Sequence, residues 1–156
     1  MATAYFAAGC FWGVQQRFSK LPGVTNTTVG YMGGTTDAPD YRSVCTGQTG
    51  HAEVVEVEYD QAQVDFTTLI SCFFEWHDPT QVNRQGPDIG TQYRSAIFPQ
   101  NKEQRIEAEN KIDQLNQSGY YSQPIATTIE TADTFWPAED YHQHYLDKRG
   151  LGHCGI

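Results

Sequence analysis

The segment AEVVEVEYD, residues 52–60, alternates with the two-residue period of a β-strand. Val55, Val57 and Tyr59 fall on one face of that strand, and Glu56 and Glu58 fall on the other. Such alternation is typical of a sheet that buries one face and exposes the other, as antiparallel sheets commonly do. The segment therefore predicts a sheet packed against an apolar core.

Other strand and helix patterns surround this segment in mixed order. Strand patterns occupy residues 3–8, 24–31, 95–98 and 124–130. Helical patterns begin at Phe11, after the N-cap candidate Asp65, and at Pro137, and an amphipathic pattern runs from Asn101 to Ser118 and ends at Gly119. Two Gly-rich irregular stretches lie at about 32–50 and 78–93. Because βαβ alternation is not strict, we predict an α+β fold with helices on a mixed, largely antiparallel sheet.

Length and composition narrow the class of protein. The 156 residues predict a single domain, 1–156, with a Gly-rich, mobile tail at about 149–156. Hydrophobic residues make up 38% and aromatic residues 13%, which excludes disorder. The formal charge of −9 argues against binding nucleic-acid phosphates or anionic lipid. The longest uncharged apolar stretch, residues 66–74, is far shorter than a membrane span.

The cysteine and histidine spacings predict thiols and no metal site. Four cysteines occur without a C-x-x-C pair and without the features of a signal peptide, which predicts a reducing, cytoplasmic location. His142 and His144 are two apart in a predicted helix, so their side chains would point in different directions.

Cys10 lies at a predicted strand-to-helix junction. Backbone N–H groups and the helix dipole at such a junction favour a thiolate, which suits a nucleophile. A small residue buried in a tight turn is an equally good interpretation. Phe11 and Trp12 follow directly, and because neighbouring residues cannot share one helix face, at least one is expected to line a surface or pocket, unless Trp12 packs in the core.

Glu53 falls in register with the apolar row of the decisive strand. A carboxyl group at the end of such a row is desolvated, so we expect its pKa to rise and the group to serve as a general acid. The alternative is that the strand has not yet entered the sheet at Glu53, which would leave the carboxylate solvated.

Two tyrosines and one more cysteine are further candidates. Tyr41 and Tyr93 lie in the two irregular stretches, where each could supply a phenolic hydrogen bond or simply pack at the surface. Cys154 lies in the Gly-rich tail, from which a second thiol could attack an oxidised first one.

Several long motifs, in order along the chain, resemble those of the A-type peptide-methionine sulfoxide reductases. They are GCFWG (9–13), GYMGG (30–34), TGHAE (49–53), HDPTQVNRQG (77–86), GTQYRSAI (90–97) and FWPAEDYHQHYL (135–146). The resemblance implies a two-layer α/β sandwich related to the ferredoxin-like arrangement, with no metal or organic cofactor. It also implies a monomer that reduces the S epimer of free or protein-bound methionine sulfoxide and is recycled by thioredoxin.

The same resemblance assigns roles by matching positions. Cys10 matches the nucleophile, Glu53 the acid, and Tyr41 and Tyr93 the two assisting hydroxyls. Asp88 matches an aspartate that organises the site. Phe11 and Trp12 match the pocket for the substrate methyl group, and Cys154 is the one candidate for the recycling thiol. Cys45 and Cys72 are expected to have no redox role.

Two other functions fit parts of the pattern. A Cys–His hydrolase or acyltransferase would pair Cys10 with His51 or His77, but it gives Glu53 no role. A binding module built on Phe11 and Trp12 would hold a sulfoxide without turning it over.

Overall fold

A six-stranded sheet forms the centre of the protein in a computed structural model that describes residues 1–150. Across the sheet the strands are β7 (Thr128–Ile129), β6 (Ser95–Ile97), β1 (Ala2–Ala8), β3 (Ala52–Tyr59), β2 (Val24–Met32) and β8 (Trp136–Pro137). Only β6 and β7 pair in parallel among these neighbours. A separate hairpin joins β4 (Arg84–Gln85) to β5 (Asp88–Ile89). The predicted α+β class with a mixed, largely antiparallel sheet is confirmed.

Five α-helices accompany the sheet in the described part of the chain. They are α1 (Phe11–Ser19), α2 (Tyr41–Cys45), α3 (Phe66–Glu75), α4 (Lys102–Ser118) and α5 (Tyr145–Lys148). Asp65 caps α3 by accepting from the Thr68 N–H at 2.8 Å, and Asn101 caps α4 in the same way. Such caps contribute about 1 kcal/mol each. The N-cap prediction for Asp65 is confirmed.

The decisive strand β3 lies in the middle of the sheet and separates two apolar clusters. Val55, Val57 and Tyr59 face the larger cluster, to which α1, α3 and α4 contribute. Val54 faces the smaller cluster, where Phe135 packs from the C-terminal part of the chain. The predicted alternation is therefore observed, although the second face is also partly covered.

Aromatic rings fill the larger cluster. Phe6 of β1 stacks on Phe18 of α1 at 5.1 Å between centroids and contacts Phe66 and Phe73 of α3. A fully buried side chain of this size contributes roughly 1.5–3 kcal/mol. These contacts hold the C-terminal half of α1 and the helix α3 against β1.

Two local predictions were wrong. The stretch 32–50 contains α2, which begins at a capping box in which Asp40 accepts from the Ser43 N–H and Ser43 accepts from the Asp40 N–H. The helix predicted from Pro137 does not form as one unit. Pro137 pairs with Gly30 at the sheet edge, and His144 takes a left-handed φ of 53° that separates a short 3₁₀ turn from α5.

Candidate active site

Cys10 is the N-cap residue of α1, at the turn where β1 ends. Gly9 makes this turn with a φ of 94°, a conformation that favours glycine because it has no Cβ. Cys10 is half-buried. The free N–H groups and dipole at the start of a helix stabilise negative charge there. The predicted strand-to-helix junction is therefore present, with Cys10 at the N-terminus of α1.

Glu53 lies beside this helix start. Its side chain is only 1% exposed, and the Phe11 N–H donates to Oε1 at 3.1 Å. Glu53 is paired with Tyr31 in the β2–β3 ladder, so the strand has already entered the sheet at this position. The alternative of a solvated Glu53 is wrong, and the carboxyl group is held next to the residue that follows Cys10.

Tyr41 and Tyr93 reach the same region from two different segments. Burial raises the pKa of Tyr41, and the negative charges of Cys45 and Glu53 raise it further. Burial likewise raises the pKa of Tyr93, with added effects from the charges of Glu53, Cys45, Asp88 and Cys10. Both phenols are therefore protonated at neutral pH and can donate hydrogen bonds near Glu53.

Asp88 is placed by the β4–β5 hairpin. It pairs with Gln85, whose buried amide bonds both the N–H and the carbonyl of Asp78, at 3.0 and 2.9 Å. A 3₁₀ turn (Thr91–Tyr93) then leads from the hairpin to Tyr93. The hairpin thus holds Asp88 close enough to Tyr93 for its charge to affect the phenol.

Phe11 and Trp12 point into different surroundings, as expected of neighbours on a helix. Phe11 is buried against Tyr31, with ring centroids 5.8 Å apart. Trp12 is half-buried, stacks on Tyr145 at 3.8 Å between centroids and donates its indole N–H to His142 Nδ1 at 3.0 Å. Residues from the C-terminal segment therefore form part of the wall beside Cys10.

Glu139 and His142 are site neighbours for which the sequence predicts no role. Glu139 accepts from the Tyr31 hydroxyl and from the Tyr41 N–H, both at 2.9 Å. Burial raises the pKa of Glu139, but these two bonds outweigh that effect, and the pKa is lowered overall. Both residues lie in the motif FWPAEDYHQHYL, which was the one available signal, but no local pattern identifies their distant partners.

His51 and His77 are both engaged elsewhere. His51 accepts from the Gly34 N–H at Nδ1, 3.0 Å away, and its Nε2 lies 2.7 Å from the Thr36 carbonyl. Gly34 is required for this contact, because a Cβ there would collide with the backbone of Thr49 and His51. His77 contacts the Phe73 carbonyl and Ser95 through its two ring nitrogens. Neither ring therefore offers a nitrogen to Cys10, and the hydrolase alternative loses its base.

The remaining cysteines differ in their distance from the site. Cys45 is exposed, yet its thiol is hydrogen-bonded to Tyr41, four residues earlier in α2, so it lies closer to the site than the sequence suggested. Cys72 is half-buried in α3, away from the site. The predicted recycling residue, Cys154, lies outside the described residues 1–150.

Within residues 1–150, no three or more His, Cys, Asp or Glu side chains are grouped as a metal site would require. No helix in that range is long and apolar enough to cross a bilayer.

Comparisons with known proteins agree with one another. A family model described as peptide methionine sulfoxide reductase matches residues 2–156. The chain is 56% identical to the peptide methionine sulfoxide reductase MsrA of Methanoculleus marisnigri, over 97% of this chain and 92% of the relative. The reduced form of Mxr1 from Saccharomyces cerevisiae superposes with a TM-score of 0.88 at 37% identity, over 99% of this chain and 88% of Mxr1. Mxr1 in complex with Trx2 superposes with a TM-score of 0.63 at 26% identity, over 92% of this chain and 84% of Mxr1.

Proposed function

The chain belongs to the peptide methionine sulfoxide reductase family and reduces methionine sulfoxide, and on this premise we propose that Cys10 is the nucleophile and Glu53 the proton donor. One observation carries the proposal. The buried carboxyl group of Glu53 is hydrogen-bonded to the first N–H of α1, directly after Cys10. A nucleophile at a helix N-terminus thus has an acid beside it.

The chemistry requires both groups. A sulfoxide oxygen must be protonated as the sulfur is attacked, because its negative charge would otherwise be left unstabilised. The Cys10 sulfur attacks the substrate sulfur while Glu53 delivers a proton to the oxygen. The hydroxyl group then moves from the substrate sulfur to the Cys10 sulfur as the bond between the two sulfurs breaks. Methionine is released, and the cysteine becomes a sulfenic acid. The substrate sulfur is reduced by two electrons and Cys10 is oxidised by two.

Tyr41 and Tyr93 assist by donating hydrogen bonds to the sulfoxide oxygen. Their raised pKa values keep the phenols protonated, and their interaction with Glu53 places them around the same reacting atom. Asp88 helps to set the position of Tyr93. Fixed donors of this kind stabilise developing charge without reorganising during the reaction.

Phe11 and Trp12 form the apolar surroundings for the substrate methyl group. The half-buried Trp12 indole, held between His142 and Tyr145, offers a face near Cys10. Phe11 closes the base of this region from within the core. An apolar contact favours the sulfoxide methyl group over a polar substituent.

Recycling uses a second thiol. The Cys154 thiol condenses with the Cys10 sulfenic acid, so that a disulfide forms and water leaves. A dithiol then reduces the disulfide, and the Trx2 complex of Mxr1 supports thioredoxin as that partner. Such thiol cycling suits a cytoplasmic location.

For the fold, we propose that the α+β arrangement is a two-layer sandwich related to the ferredoxin-like arrangement.

A series of thiol variants tests the proposal. We expect Cys10→Ser to lose sulfoxide reduction by on the order of 10⁴-fold or more, because a serine hydroxyl cannot attack the sulfoxide sulfur and take its oxygen as a thiol does. Cys154→Ser should still form about one methionine per enzyme but stall with thioredoxin, whereas a small dithiol should bypass the block. Cys72→Ser is the matched control and should behave as the parent.

The assays of all three variants use methionine-S-sulfoxide and methionine-R-sulfoxide as substrates, and methionine formation is the readout. Substantial turnover by Cys10→Ser would remove that residue from the nucleophile's role. Sustained thioredoxin-driven turnover by Cys154→Ser would instead assign recycling to another thiol.

A further inference from the structure

Tyr41 belongs to a helix that is too short to be stable without contacts to the rest of the protein. The helix α2 has five residues, Tyr41–Cys45, whereas isolated helices shorter than about 12–15 residues are marginal in water. The capping box of Asp40 and Ser43 lies within the same segment and does not attach α2 to another element. The position of the Tyr41 phenol is therefore set by contacts that α2 makes elsewhere in the fold.

α2 is attached to the fold at both of its ends. Near the C-terminal end, Val44 is inaccessible to solvent in the larger apolar cluster. At the other end, the Tyr41 N–H donates to Glu139 Oε2 at 2.9 Å. The first N–H groups of a helix have no acceptor within the helix, so the Glu139 carboxylate supplies one from 98 residues along the chain. The apolar contact of Val44 is not directional, whereas the bond to Glu139 fixes the backbone of the residue that carries the phenol.

Glu139 is itself held against the central sheet. Its Oε1 accepts from the hydroxyl of Tyr31 at 2.9 Å, and Tyr31 is a fully buried residue of β2. The preceding residue, Ala138, donates its N–H to the Val29 carbonyl of the same strand at 2.9 Å. Both the backbone and the side chain of this short segment are therefore tied to β2.

The same bonds relate the position of Tyr41 to that of Glu53. Tyr31 is the partner of Glu53 in the β2–β3 ladder, and its hydroxyl meets the carboxylate that holds Tyr41. One carboxylate thus connects the strand beside the proposed proton donor to the helix that carries the proposed hydroxyl donor. The pKa of Glu139 is lowered overall despite its burial, so the group is ionised at neutral pH and both of its oxygens can accept.

We propose that Glu139 is a positioning residue, which fixes the Tyr41 backbone relative to Glu53 so that the Tyr41 hydroxyl can reach the sulfoxide oxygen. The inference rests on the proposed function, because it takes Tyr41 as a donor to that oxygen. It assigns the effect to the two hydrogen bonds of Glu139 and not to its negative charge. Small displacements of a group that acts on the reacting atoms are costly to the rate, since a misplacement of about 1 Å can cost about 100-fold.

Two substitutions separate the hydrogen bonds from the charge. Glu139→Leu removes both bonds and the charge. Glu139→Gln removes only the charge, because its amide oxygen can accept from the Tyr41 N–H while its NH₂ group donates to the Tyr31 hydroxyl, which can turn to accept.

Glu56→Leu is the matched control. The Glu56 carboxylate also accepts from a tyrosine hydroxyl, that of Tyr5, at 2.8 Å. Glu56 lies on the face of β3 opposite to that of Glu53, because successive residues of a strand alternate between faces. The control therefore loses the same kind of bond at a place that the proposal leaves out of the site.

The first readout is the single-turnover rate of methionine formation at saturating N-acetyl-methionine-S-sulfoxide methylamide. We expect Glu139→Leu to lower this rate by about tenfold, the effect of losing one hydrogen bond to developing charge. Glu139→Gln should stay within about threefold of the parent, and Glu56→Leu should match the parent. A rate for Glu139→Gln as low as that for Glu139→Leu would assign the effect to the charge and overturn the inference.

A double-mutant cycle tests whether Glu139 acts through Tyr41. Tyr41→Phe should lower the single-turnover rate by about tenfold, and adding Glu139→Leu should lower it by less than about twofold more, because no hydroxyl is left to misplace. A general loss of stability would instead slow both backgrounds equally, and that outcome would overturn the inference alone. A parent rate in Tyr41→Phe would show that the proposed function assigns Tyr41 wrongly, and it would appear without any change at Glu139.

Amide hydrogen exchange of the reduced protein, followed by NMR, observes the bond itself. The Tyr41 N–H should be protected in the parent and in Glu139→Gln, and it should exchange rapidly in Glu139→Leu. The Val44 N–H, which donates to the Asp40 carbonyl at 3.0 Å, is the internal reference, and its protection in every variant would show that α2 still forms. Rapid exchange of the Tyr41 N–H in the parent, while the Val44 N–H is protected, would overturn the inference.

Discussion

Two buried polar clusters lie on the helical side of the sheet, and they differ in what their hydrogen bonds leave available. The closed cluster consists of His77, Ser95 and Thr127, where His77 bonds the Phe73 carbonyl at 2.6 Å and Ser95 at 2.8 Å, and Ser95 bonds Thr127 at 2.7 Å. These bonds tie the end of α3 to β6 and to the residue before β7.

The open cluster consists of Cys10, Tyr41, Glu53, Tyr93 and His142, and it is assembled from separate segments around the start of α1. Two protonated phenols and a buried carboxyl group lie near one another there, and the carboxyl group accepts from the Phe11 N–H directly after Cys10. Both clusters contain titratable groups with shifted pKa values. A shifted pKa marks chemistry only where donors still face a space that a substrate can enter, and otherwise it contributes to stability.

The largest effect expected in the closed cluster is a pH dependence of stability. Because a carbonyl only accepts, His77 carries its proton on Nδ1 and accepts at Nε2. Burial lowers the pKa of His77 from 6.5 to about 4, against the opposing effect of the bond to the Phe73 carbonyl. The unfolded chain therefore binds a proton at a higher pH than the folded chain does.

The stability that His77 contributes is complete above pH 6.5 and is lost as the pH falls toward 4. We expect this loss to reach about 3 kcal/mol in the free energy of unfolding. Urea unfolding of the parent and His77→Gln across this range measures it, since Gln can make both bonds but does not titrate there. Equal pH slopes in the two proteins would show that His77 is not the source.

The next effect concerns binding in the open cluster. Trp12→Ala should weaken the binding of a sulfoxide peptide by roughly 1–3 kcal/mol, because the indole covers the methyl group. The matched control is Trp76→Phe near the closed cluster, where Trp76 packs edge-on against Phe18. The control should lower stability without changing KM. An unchanged KM in Trp12→Ala would return this residue to a packing role.

The smallest expected effect is on the reaction rate, and it distinguishes Tyr93 from Tyr121. Tyr93→Phe should slow single-turnover reduction by about tenfold, the effect of one hydrogen bond to developing charge. Tyr121→Phe is the control, because its hydroxyl donates to the Phe74 carbonyl, away from the thiol. Rapid-quench methionine formation measures both rates. Equal rates for the two variants would remove Tyr93 from the reaction.

The sequence predicts the elements whose signals are local. The alternation of β3, the apolar stripe of α3, its cap Asp65 and the end of α4 at Gly119 are all local signals, and each is observed. The burial of Glu53 follows from the same alternation. Periodicity and capping therefore account for the central strand, two main helices and the most informative carboxyl group of the site.

The C-terminal segment was not predictable in the same way. Pro137 is a good first residue of a helix, but it is equally suited to an edge strand, where its missing N–H costs no ladder bond, and β8 is such a strand. Glu139 meets Tyr41 across 98 residues of sequence, and His142 meets Trp12 across 130. Only the folded sheet brings these partners together.

The contrast between the clusters is tested most directly by measuring rate and stability together in Glu53→Gln and Ser95→Ala. Glutamine keeps the size of Glu53 and can hydrogen-bond, but it cannot deliver a proton. Ser95→Ala removes the central hydroxyl of the closed cluster and leaves the site unchanged. Rapid-quench methionine formation in a single turnover gives the rate, and urea unfolding gives the free energy.

We predict that Glu53→Gln lowers the single-turnover rate by at least about 100-fold and changes the free energy of unfolding by less than about 1 kcal/mol. Ser95→Ala should lose about 1–3 kcal/mol of stability and keep the rate of the parent. A Glu53→Gln rate within about threefold of the parent would contradict the account, because the proton would then come from a tyrosine or from water.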